Sequence, residues 1–574
     1  MIKIWNLNPL TQEQTAHKEQ LEGELRISPF LCQLLVQRGI VTYDKAKDFF
    51  RPDLKQLHNP FLMQDMQQAV DRLDKAIRKK EKILIYGDYD VDGTTAVALV
   101  YKFIKHIYSD IDFYIPNRYT EGYGVSTQGI DFAAENDFTL MIALDCGIKA
   151  VQKVAYAKER GIDFIICDHH TPDEILPDAV AILNPKRNDC AYPYRHLSGC
   201  GVGFKFMQAF CLQNQLDEKL LLSLLDLVAV SIASDIVPIT GENRIMTHFG
   251  MKELNQNPSL GLASIIQICN LTEKEITISD VVFKIGPRLN AAGRIESGRD
   301  SVELLISNDT QFAKEKGDAI NDFNDIRKTL DKSTTEEASL LLDEDEEQKM
   351  RKSIVIFDDK WHKGVVGIVA SRLSEDYYKP SIVLTESDGL ATGSARSVPG
   401  FDIYKAIDSC RDLLENFGGH MYAAGLTMKR ENVREFKERF EKYTAENILP
   451  EQLYPQIDVD AKIPLAVINP VFFKILNQFA PFGPQNMKPV FVSRNVCDTG
   501  RGRLVGKNSE HLKLELIDPS TNTAIDAIGF NMGKFFDYIC DNPQFDICYT
   551  IEENNFNGKT NIQLIIKDIK TITD

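Results

Sequence analysis

Three aspartates alternate with other residues in the stretch KILIYGDYDVDG, which spans residues 82–93. Asp88, Asp90 and Asp92 follow an apolar run of strand length, and Gly93 closes the motif. Like charges at this spacing repel one another unless a positive group lies between them, and a divalent cation with oxygen ligands would supply that charge. The stretch therefore predicts a cation site at the end of a strand.

The calcium-binding loop of an EF-hand begins with the same alternation, so we considered this alternative first. Asp88, Asp90, Asp92 and Gly93 match its positions one, three, five and six, but the twelfth position, which should be glutamate, is Leu99. An EF-hand also needs a helix before its loop, whereas the apolar run before Asp88 predicts a strand. We therefore do not expect an EF-hand.

Four further apolar runs of strand length occur up to about residue 185, with helical patterns between most of them. This alternation predicts a parallel sheet covered by helices on both faces. Because the carboxyl ends of parallel strands line one crevice, the polar residues after these runs should converge there. These residues are Asp88, Asp90, Asp92, Arg118, Asp145, Asp168, His169, His170 and Lys186.

The chemistry of this set points to metal-dependent hydrolysis. A lone aspartate at a strand end often caps a helix, but several aspartates and a His-His pair at one sheet edge are difficult to explain as separate caps. Oxygen-rich ligands with one or two imidazoles suit Mn²⁺ or Mg²⁺ better than Zn²⁺, which prefers nitrogen and sulfur ligands. The carboxylates exceed what one ion needs, so we expect two ions about 3.5–4 Å apart, an arrangement typical of phosphoryl hydrolysis.

The motifs occur in an order that resembles the DHH phosphoesterase superfamily: DYDVDG, DCG at 145–147, DHH at 168–170, and Ser234-Asp235 after an apolar helix. Longer strings resemble the RecJ family of single-strand-specific 5′→3′ DNA exonucleases, over nearly the whole chain. These strings are PNRYTEGYG at 116–124, GPRLNAAGR at 286–294, WHKGVVGIVASRL at 361–373, GSARS at 393–397, GGHMYAAG at 418–425 and FAPFGPQN at 479–486.

The resemblance implies how the ligands are shared between two ions, and no expected ligand is missing from the sequence. One ion would be held by Asp88, Asp90 and Asp145, and the other by Asp92, Asp145, His169 and Asp235. His170 would face the scissile phosphate, where it could protonate the leaving oxygen or stabilise charge, and Asp168 would orient the histidines. The alternative for His170 is a histidine at a helix start that is hydrogen-bonded locally.

The resemblance also implies residues that hold the substrate. Arg288 and Arg294 in GPRLNAAGR suit a loop that grips phosphate and are expected at the catalytic centre, although a salt-bridged structural loop is the alternative. Glycine-rich turns in a second α/β domain would let a phosphate approach backbone amides. The expected substrate contacts are Arg118, Asn290, Ser394, Arg396, Gly418, Gly419 and His420.

The chain has 574 residues, too many for one hydrophobic core. We expect a multidomain α/β fold, in which a long helix joins a parallel-sheet DHH domain to a smaller DHH-associated domain, and a C-terminal all-β domain of the OB type. The period-two pattern of HLKLELID and NIQLIIKDI and the hairpin signal Asn557-Gly558 indicate the all-β domain. The expected boundaries are 1–75 for an N-terminal helical segment packing on the core, 76–305 for the DHH domain, 306–352 for the connecting helix, 353–450 for the DHH-associated domain and 456–574 for the OB-like domain.

Two features have open interpretations. The run Gly199-Cys200-Gly201-Val202-Gly203 could present amides to a phosphate, or could let a helix pack tightly on the sheet. In the all-β domain, basic residues near aromatic residues suit single-stranded nucleic acid, although scattered surface charge is the alternative. The residues concerned are Arg494, Arg501, Arg503, Lys507, Lys513, Phe491 and Phe530.

Bulk properties limit the class of protein. A net charge of −17 argues against attachment to nucleic acid by overall positive charge, but leaves room for a local basic groove. The longest apolar run, 220–237, is interrupted by Asp226 and Asp235, which favours a buried helix over a membrane span, and no signal peptide is evident. Eleven cysteines without a CxxC pair indicate neither zinc nor a disulfide framework, so we expect a cytoplasmic protein.

Together these observations favour a Mn²⁺- or Mg²⁺-dependent exonuclease that removes nucleotides from the 5′ end of single-stranded DNA in repair and recombination. One alternative is a small-substrate DHH phosphodiesterase acting on oligoribonucleotides or cyclic dinucleotides, although the region 456–574 argues against it. The other is a non-catalytic DNA-binding scaffold, which should have lost ligands. Family analogy adds a single-stranded-DNA-binding protein and a helicase as partners, and we expect a monomer without membrane contact.

Overall fold

The computed structural model of the protein describes residues 3–556 and 559–571. The chain forms two compact units. The first comprises His58–Val237 and Phe249–Pro455, and the second comprises Ile2–Leu57, Pro238–His248 and Gln456–Asp574. The predicted hairpin turn Asn557-Gly558 lies outside the described residues.

The first unit begins with the predicted parallel sheet, which is confirmed. Its five strands all pair in parallel. In spatial order they are Ile111–Tyr114, Lys82–Gly87, Phe138–Leu144, Asp163–Cys167 and Ala181–Leu183. The strands are rich in apolar residues because helices bury them. The accompanying helices are Met66–Lys79, Val91–Ile107, Thr127–Glu135, Val151–Glu159 and Gly199–Asn214.

A helical region follows the sheet. The apolar run at 220–237 forms helices Lys219–Ser223 and Leu225–Ser234, and the second is almost wholly buried. Among the described residues, no helix is both long and apolar enough to cross a membrane. The next helices are Gly241–Gln256, Leu260–Ile268, Ile278–Asp280, Gly286–Ile295 and Gly298–Ile306, with a π-helical segment at Val281–Ile285.

The long connecting helix spans Thr310–Glu344. It ends earlier than the predicted limit of 352 because Asp345 has an extended backbone and accepts a hydrogen bond from the Gln348 amide, which starts a second short helix, Glu346–Met350. The DHH-associated domain then forms a five-stranded sheet in which only the strand pair at its Ile354–Phe357 edge is parallel. In spatial order its strands are Leu414–His420, Ala423–Lys429, Leu390–Arg396, Ser381–Ser387 and Ile354–Phe357. Its helices are Val366–Tyr377, Ile403–Asp408 and Val433–Asn447.

The second unit contains the predicted all-β domain. Its sheet closes on itself because the strand at Phe491–Asp498 pairs with both Phe545–Phe556 and His511–Asp518, which gives the barrel expected of an OB fold. The strands of this sheet are Ala461–Lys462, Phe491–Asp498, Arg503–Val505, His511–Asp518, Thr523–Gly529, Phe545–Phe556 and Lys559–Thr571. Helices Pro470–Asn477 and Phe536–Asp541 accompany them.

The N-terminal segment shares its hydrophobic core with this barrel. Leu21, Leu31 and Leu35 lie in the same buried cluster as Phe472 and Phe491. A strand at Ile4–Leu7 also pairs in parallel with Gln456–Val459, and helices Gln12–Leu25, Pro29–Gln37 and Tyr43–Phe50 complete the segment. The predicted boundary at residue 75 falls inside the helix Met66–Lys79, which belongs to the first unit, so the division lies between Leu57 and His58. The contacts that set this division are long-range and leave no local sequence signal.

Candidate active site

Four predicted metal ligands meet at the carboxyl edge of the parallel sheet. The Nε2 atom of His169 lies 3.1 Å from Oδ1 of Asp145, and 3.6 Å from Oδ2 of both Asp92 and Asp235. Asp92 is in the first turn of the helix Val91–Ile107, which follows the strand Lys82–Gly87. Asp235 follows the last residue of the helix Leu225–Ser234. The backbone of Asp145 adopts φ 58°, in the left-handed region, as the chain leaves its strand.

Asp88 and Asp90 extend this acidic cluster. Asp90 caps the helix Val91–Ile107 by accepting a 3.0 Å hydrogen bond from the Gly93 amide, and Asp88 is buried. Burial and the charge of Asp90 raise the pKa of Asp88 well above its usual value. Burial and the charges of neighbouring carboxylates, Asp92 foremost, do the same to the pKa of Asp145 and Asp235.

The donor set fits divalent cations. Asp88 Oδ1, Asp145 Oδ1 and Asp235 Oδ2 are buried oxygens without a hydrogen-bond partner. Buried carboxylates that repel one another and lack donors are stabilised by a cation between them. Burial lowers the pKa of His169 to about 4, which keeps its imidazole neutral and suited to bind a metal through Nε2.

Asp168 is committed to hydrogen bonds that orient the histidine pair. Its Oδ1 accepts from the backbone amides of His169 and His170 at 2.7 and 3.0 Å, and lies 2.7 Å from Nδ1 of His170. Its Oδ2 accepts from the Ile148 amide at 2.9 Å. Burial alone would lower the pKa of His170, but the hydrogen bond to Asp168 and the surrounding carboxylates outweigh it and raise this pKa to about 9.

The glycine-rich run after Ser198 serves the acidic cluster. At the start of the helix Gly199–Asn214, the amides of Gly199 and Cys200 donate to the two carboxylate oxygens of Asp92 at 2.6 and 2.8 Å, and Ser231 Oγ adds a third bond at 2.6 Å. A Cβ on Gly199 would lie 2.6 Å from Cβ of Asp145. The run therefore supplies amide donors and also allows close packing, as the two interpretations proposed. The anion that the amides bind is the Asp92 carboxylate and not a phosphate.

Four arginines form a second cluster, of positive charge. The Arg118 guanidinium lies over the ring of Tyr89, 4.3 Å from its centroid, and its buried Nε has no hydrogen-bond partner. Burial and the charges of Arg118, Arg327 and Arg396 lower the pKa of Arg294 to about 9. Arg327 was not predicted, because one arginine in a charged helix carries no distinguishing signal. Repelling guanidinium groups with spare donors suit an anion such as phosphate.

The two halves of the first unit meet at this arginine cluster. Arg294 Nη1 donates to the Gly364 carbonyl at 3.1 Å, and the hydroxyl of Tyr119 donates to the Arg294 carbonyl. A Cβ on Gly367, in the first turn of the helix Val366–Tyr377, would lie 3.2 Å from both Arg396 Nη2 and Ser394 Oγ. Arg396 and Ser394 of the DHH-associated domain are therefore next to a helix start, where backbone amides favour anions.

Other predicted substrate residues have internal partners. Asn290 Oδ1 accepts from the Val91 amide at 3.1 Å, so this side chain holds the start of the aspartate-bearing helix. The loop expected for GPRLNAAGR is wrong, because this motif forms the helix Gly286–Ile295. Arg288 Nε on this helix donates to Asn321 Oδ1 at 3.0 Å on the connecting helix. The glycine-rich runs expected as turns lie in strands instead, Leu390–Arg396 and Leu414–His420. Gly418, Gly419 and His420 end the second of these, the edge strand of a hairpin, paired with Gly425, Ala424 and Ala423.

The predicted DNA contacts of the barrel divide into two groups. Phe491 is fully buried in the core, so its prediction as a stacking platform was wrong; period-two alternation does not reveal which face of a strand is inside. Phe530 is exposed, and Arg503 and Lys507 make no ion pair with any described residue. The remaining three basic residues, Arg494, Arg501 and Lys513, pair with Asp546, Glu515 and Asp526.

Comparison with known proteins agrees with this architecture. The N-terminal domain of the DHH family matches residues 82–232, the DHHA1 domain matches 351–446 and the RecJ OB domain matches 459–568.

Relatives that match nearly the whole of this chain are RecJ exonucleases. The single-stranded-DNA-specific exonuclease RecJ of Bacillus subtilis is 36% identical over 568 residues, covering 98% of this chain and 70% of that protein. RecJ of Escherichia coli is 30% identical over 578 residues, covering 98% of both. The crystal structure of Thermus thermophilus RecJ in complex with Mn²⁺ superimposes with a TM-score of 0.84 at 25% identity, covering 99% of this chain and 79% of that one. The chain therefore belongs to the RecJ family.

Proposed function

We propose that this protein is a single-stranded-DNA-specific 5′→3′ exonuclease that hydrolyses phosphodiester bonds with two divalent cations, Mn²⁺ or Mg²⁺, in DNA repair and recombination. The observation that carries the proposal is the cluster of unpartnered carboxylate oxygens around His169 in a chain of the RecJ family. Two solved RecJ structures, at 25% and 30% identity, contain manganese.

The chain offers ligands for both ions. Asp88, Asp90 and Asp145 would hold one, and Asp92, Asp145, His169 and Asp235 would hold the other. Bound ions would stabilise charge on the phosphodiester and activate a water molecule for attack. The amides of Gly199 and Cys200 fix the Asp92 carboxylate in orientation. The bond between Asp168 and Nδ1 of His170 orients this imidazole, whose Nε2 would engage the substrate.

The arginine cluster supplies an anion site for the strand end. Burial and the charges of Arg118, Arg327 and Arg396 depress the pKa of Arg294, and the charge of Asp90 only partly opposes them. A 5′-terminal phosphate carries the charge that such a cluster would neutralise. Binding the terminal phosphate in this cluster would place an internal phosphodiester at the acidic cluster, which is the geometric basis for removal from the 5′ end.

The barrel would hold the strand beyond the cut. Arg503 and Lys507 are exposed cations without ion-pair partners among the described residues, and the Phe530 ring is exposed. Such surfaces bind single strands by phosphate contacts and base stacking. We further propose a cytoplasmic monomer that receives single strands from a helicase and a single-stranded-DNA-binding protein; the eleven cysteines, all free, support a reducing compartment.

The two alternative functions receive less support. A small-substrate phosphodiesterase has no evident use for the barrel at 459–568, which matches the RecJ OB domain. A non-catalytic scaffold would not need to keep six ligand residues, four of which are buried at a cost when no cation is present. Activity on dinucleotides alone would favour the first alternative, and strand binding without cleavage would favour the second.

One digestion experiment tests the proposal. Oligonucleotides labelled at the 5′ or 3′ end, single- or double-stranded, are incubated with Mn²⁺, Mg²⁺ or EDTA. We expect 5′-labelled single strands to release labelled product first, with the metals only. Asp145→Asn should lower this rate by more than about a hundredfold, since even outer-shell changes cost about 10–100-fold. Asp178→Asn, in an exposed pair with Lys158, is the control. Equal digestion of duplexes, or cleavage by Asp145→Asn near the wild-type rate, would contradict the proposal.

A further inference from the structure

Tyr123 contacts the catalytic histidine, although neither the sequence motifs nor the proposed mechanism assigned it a role. Its hydroxyl lies 3.1 Å from Nε2 of His170, and the two rings meet edge to face with centroids 5.9 Å apart. Asp168 already holds Nδ1 of His170. Both ring nitrogens of His170 therefore have protein partners, and Tyr123 occupies the one that the substrate needs.

Two glycines with positive φ set the position of Tyr123 in its loop. Gly122 and Gly124 flank it with φ of 83° and 81°, a conformation that favours glycine. A Cβ on either glycine would meet no atom within 4 Å, so their conformation, and not lack of space, requires glycine. The tip of the loop thus turns on two glycines and projects the tyrosine side chain.

The base of this loop is rigid. The Glu121 carboxylate accepts from the Asn117 amide at 2.8 Å, the Tyr114 hydroxyl at 3.0 Å and Ser126 Oγ at 2.6 Å. The Tyr86 hydroxyl donates to the Gly124 carbonyl at 2.8 Å. These hydrogen bonds hold the residues on both sides of Tyr123 in place. The side chain of Tyr123 itself contacts His170.

Tyr123 is exposed to solvent beside a cluster whose other residues are mostly buried. The side chains of Asp145, Asp168 and His169 are buried, whereas Tyr123 is 58% exposed. An exposed aromatic face beside a phosphodiester-cleaving centre offers a stacking surface, and stacking accepts every base because each base has a π-face. A base inside a duplex is already stacked on both sides, so such a surface favours a single strand.

We infer that Tyr123 is a specificity-determining residue: its ring stacks on the nucleobase next to the scissile phosphodiester, and its hydroxyl holds His170 in orientation until the substrate engages Nε2. This inference rests on the proposed exonuclease function. The ring and the hydroxyl have separate tasks, so Tyr123→Phe and Tyr123→Leu should differ: the first keeps the stacking surface and the second removes both groups.

The test pairs these variants with abasic DNA. Single strands with a 5′ phosphate carry one abasic residue at the first, second or third nucleotide, and are compared with the unmodified strand. Affinity is measured by fluorescence anisotropy with the full chain in EDTA, where no cleavage occurs, and kcat and KM are measured with Mn²⁺. Tyr43→Leu, which changes an exposed tyrosine in the N-terminal helix Tyr43–Phe50, is the control.

For the wild type and Tyr43→Leu, we expect one abasic position to weaken binding at least about fivefold, the lower range for loss of a stacked base. Tyr123→Leu should bind that strand and the unmodified strand equally, whereas Tyr123→Phe should keep the discrimination but lose kcat. Circular dichroism and Mn²⁺ binding check that each variant is folded; if Tyr123→Leu is not, Tyr123→Ser replaces it.

The outcomes separate this inference from the proposed function. If the wild type neither binds nor cuts the unmodified strand, the exonuclease function itself fails. If the wild type binds and cuts but no abasic position matters, or if Tyr123→Leu discriminates as the wild type does, the stacking role is overturned. If Tyr123→Phe has the wild-type kcat, the role of the hydroxyl is overturned.

Discussion

The backbone amide of Gly199 donates a 2.6 Å hydrogen bond to Oδ2 of Asp92, a carboxylate 107 positions earlier in the chain. The Cys200 amide binds the other oxygen of the same carboxylate at 2.8 Å. The positive end of a helix thereby compensates an aspartate in the acidic cluster, and the carboxylate keeps one orientation. This relationship explains why a glycine-rich run lies beside the candidate metal centre.

A side chain at position 199 should damage metal binding. The Cβ of Gly199→Ala would lie 2.8 Å from Oδ1 and 2.6 Å from Cβ of Asp145, so this ligand must move. We expect Mn²⁺ affinity, measured by isothermal titration calorimetry, to fall at least about tenfold. Gly201→Ala in the same helix turn is a matched control, since its Cβ would meet nothing closer than 3.4 Å. Equal affinity of the two variants would contradict the packing explanation.

The arginine cluster should make the enzyme sensitive to the terminal phosphate. Arg396→Gln removes one of the charges that depress the pKa of Arg294, and with it a charged donor for phosphate. We expect the preference for 5′-phosphate over 5′-hydroxyl strands, as a ratio of kcat/KM, to drop about tenfold or more. Arg430→Gln, in an exposed pair with Asp359 and Glu386, should keep the ratio. A ratio that Arg396→Gln leaves unchanged would place the terminal phosphate elsewhere.

Asp280 should stabilise the fold in a pH-dependent manner. Burial would raise its pKa, but hydrogen bonds from Lys274, Lys284 and Thr277 outweigh burial and lower it. A carboxyl whose folded pKa is depressed stabilises the protein above its ordinary pKa of about 3.9, and loses this effect as the pH falls towards the folded pKa.

Asp280→Asn should therefore lower the free energy of unfolding by about 1–2 kcal/mol at pH 7, since the lysines are half exposed. The difference from wild type should shrink below about pH 4. Urea unfolding of a Trp5→Phe background, in which Trp361 reports on the first unit, measures this. A difference that grows with acidity would show that the sign is wrong.

Arg244 should hold the second unit together. Its buried guanidinium donates to backbone carbonyls of Phe49, Phe479 and Ala480, and lies 3.8 Å from the centroid of the Phe49 ring. Arg244→Met leaves several buried carbonyls without a hydrogen-bond donor. We therefore expect the free energy of unfolding to fall by at least about 3 kcal/mol.

This loss should be visible through Trp5 in a Trp361→Phe background, because Trp5 belongs to the second unit. Arg494→Met, which removes an exposed arginine 3.5 Å from Asp546 in the same unit, should change little. If both variants unfold alike, the carbonyl contacts of Arg244 do not support the unit.

Much of the parallel sheet and of the site at its edge was predictable from local sequence. Apolar runs of strand length alternate with helical patterns, which requires a parallel sheet, and a parallel sheet brings all its strand ends to one edge. The positions of Asp145 and His169 after such runs therefore predicted that they would meet, and their side chains lie 3.1 Å apart. Local pattern suffices here because topology alone decides the neighbours.

Other features were decided only by tertiary contacts. Sequence could not show that Gly199 serves Asp92, that Arg327 joins the arginine cluster, or that Tyr123 covers His170, because each relation joins residues far apart in the chain. Nor could it show that the N-terminal helices complete the core of the barrel, or that Phe491 points inwards. An apolar face fixes only that a residue must be buried; which surface buries it depends on how distant segments pack.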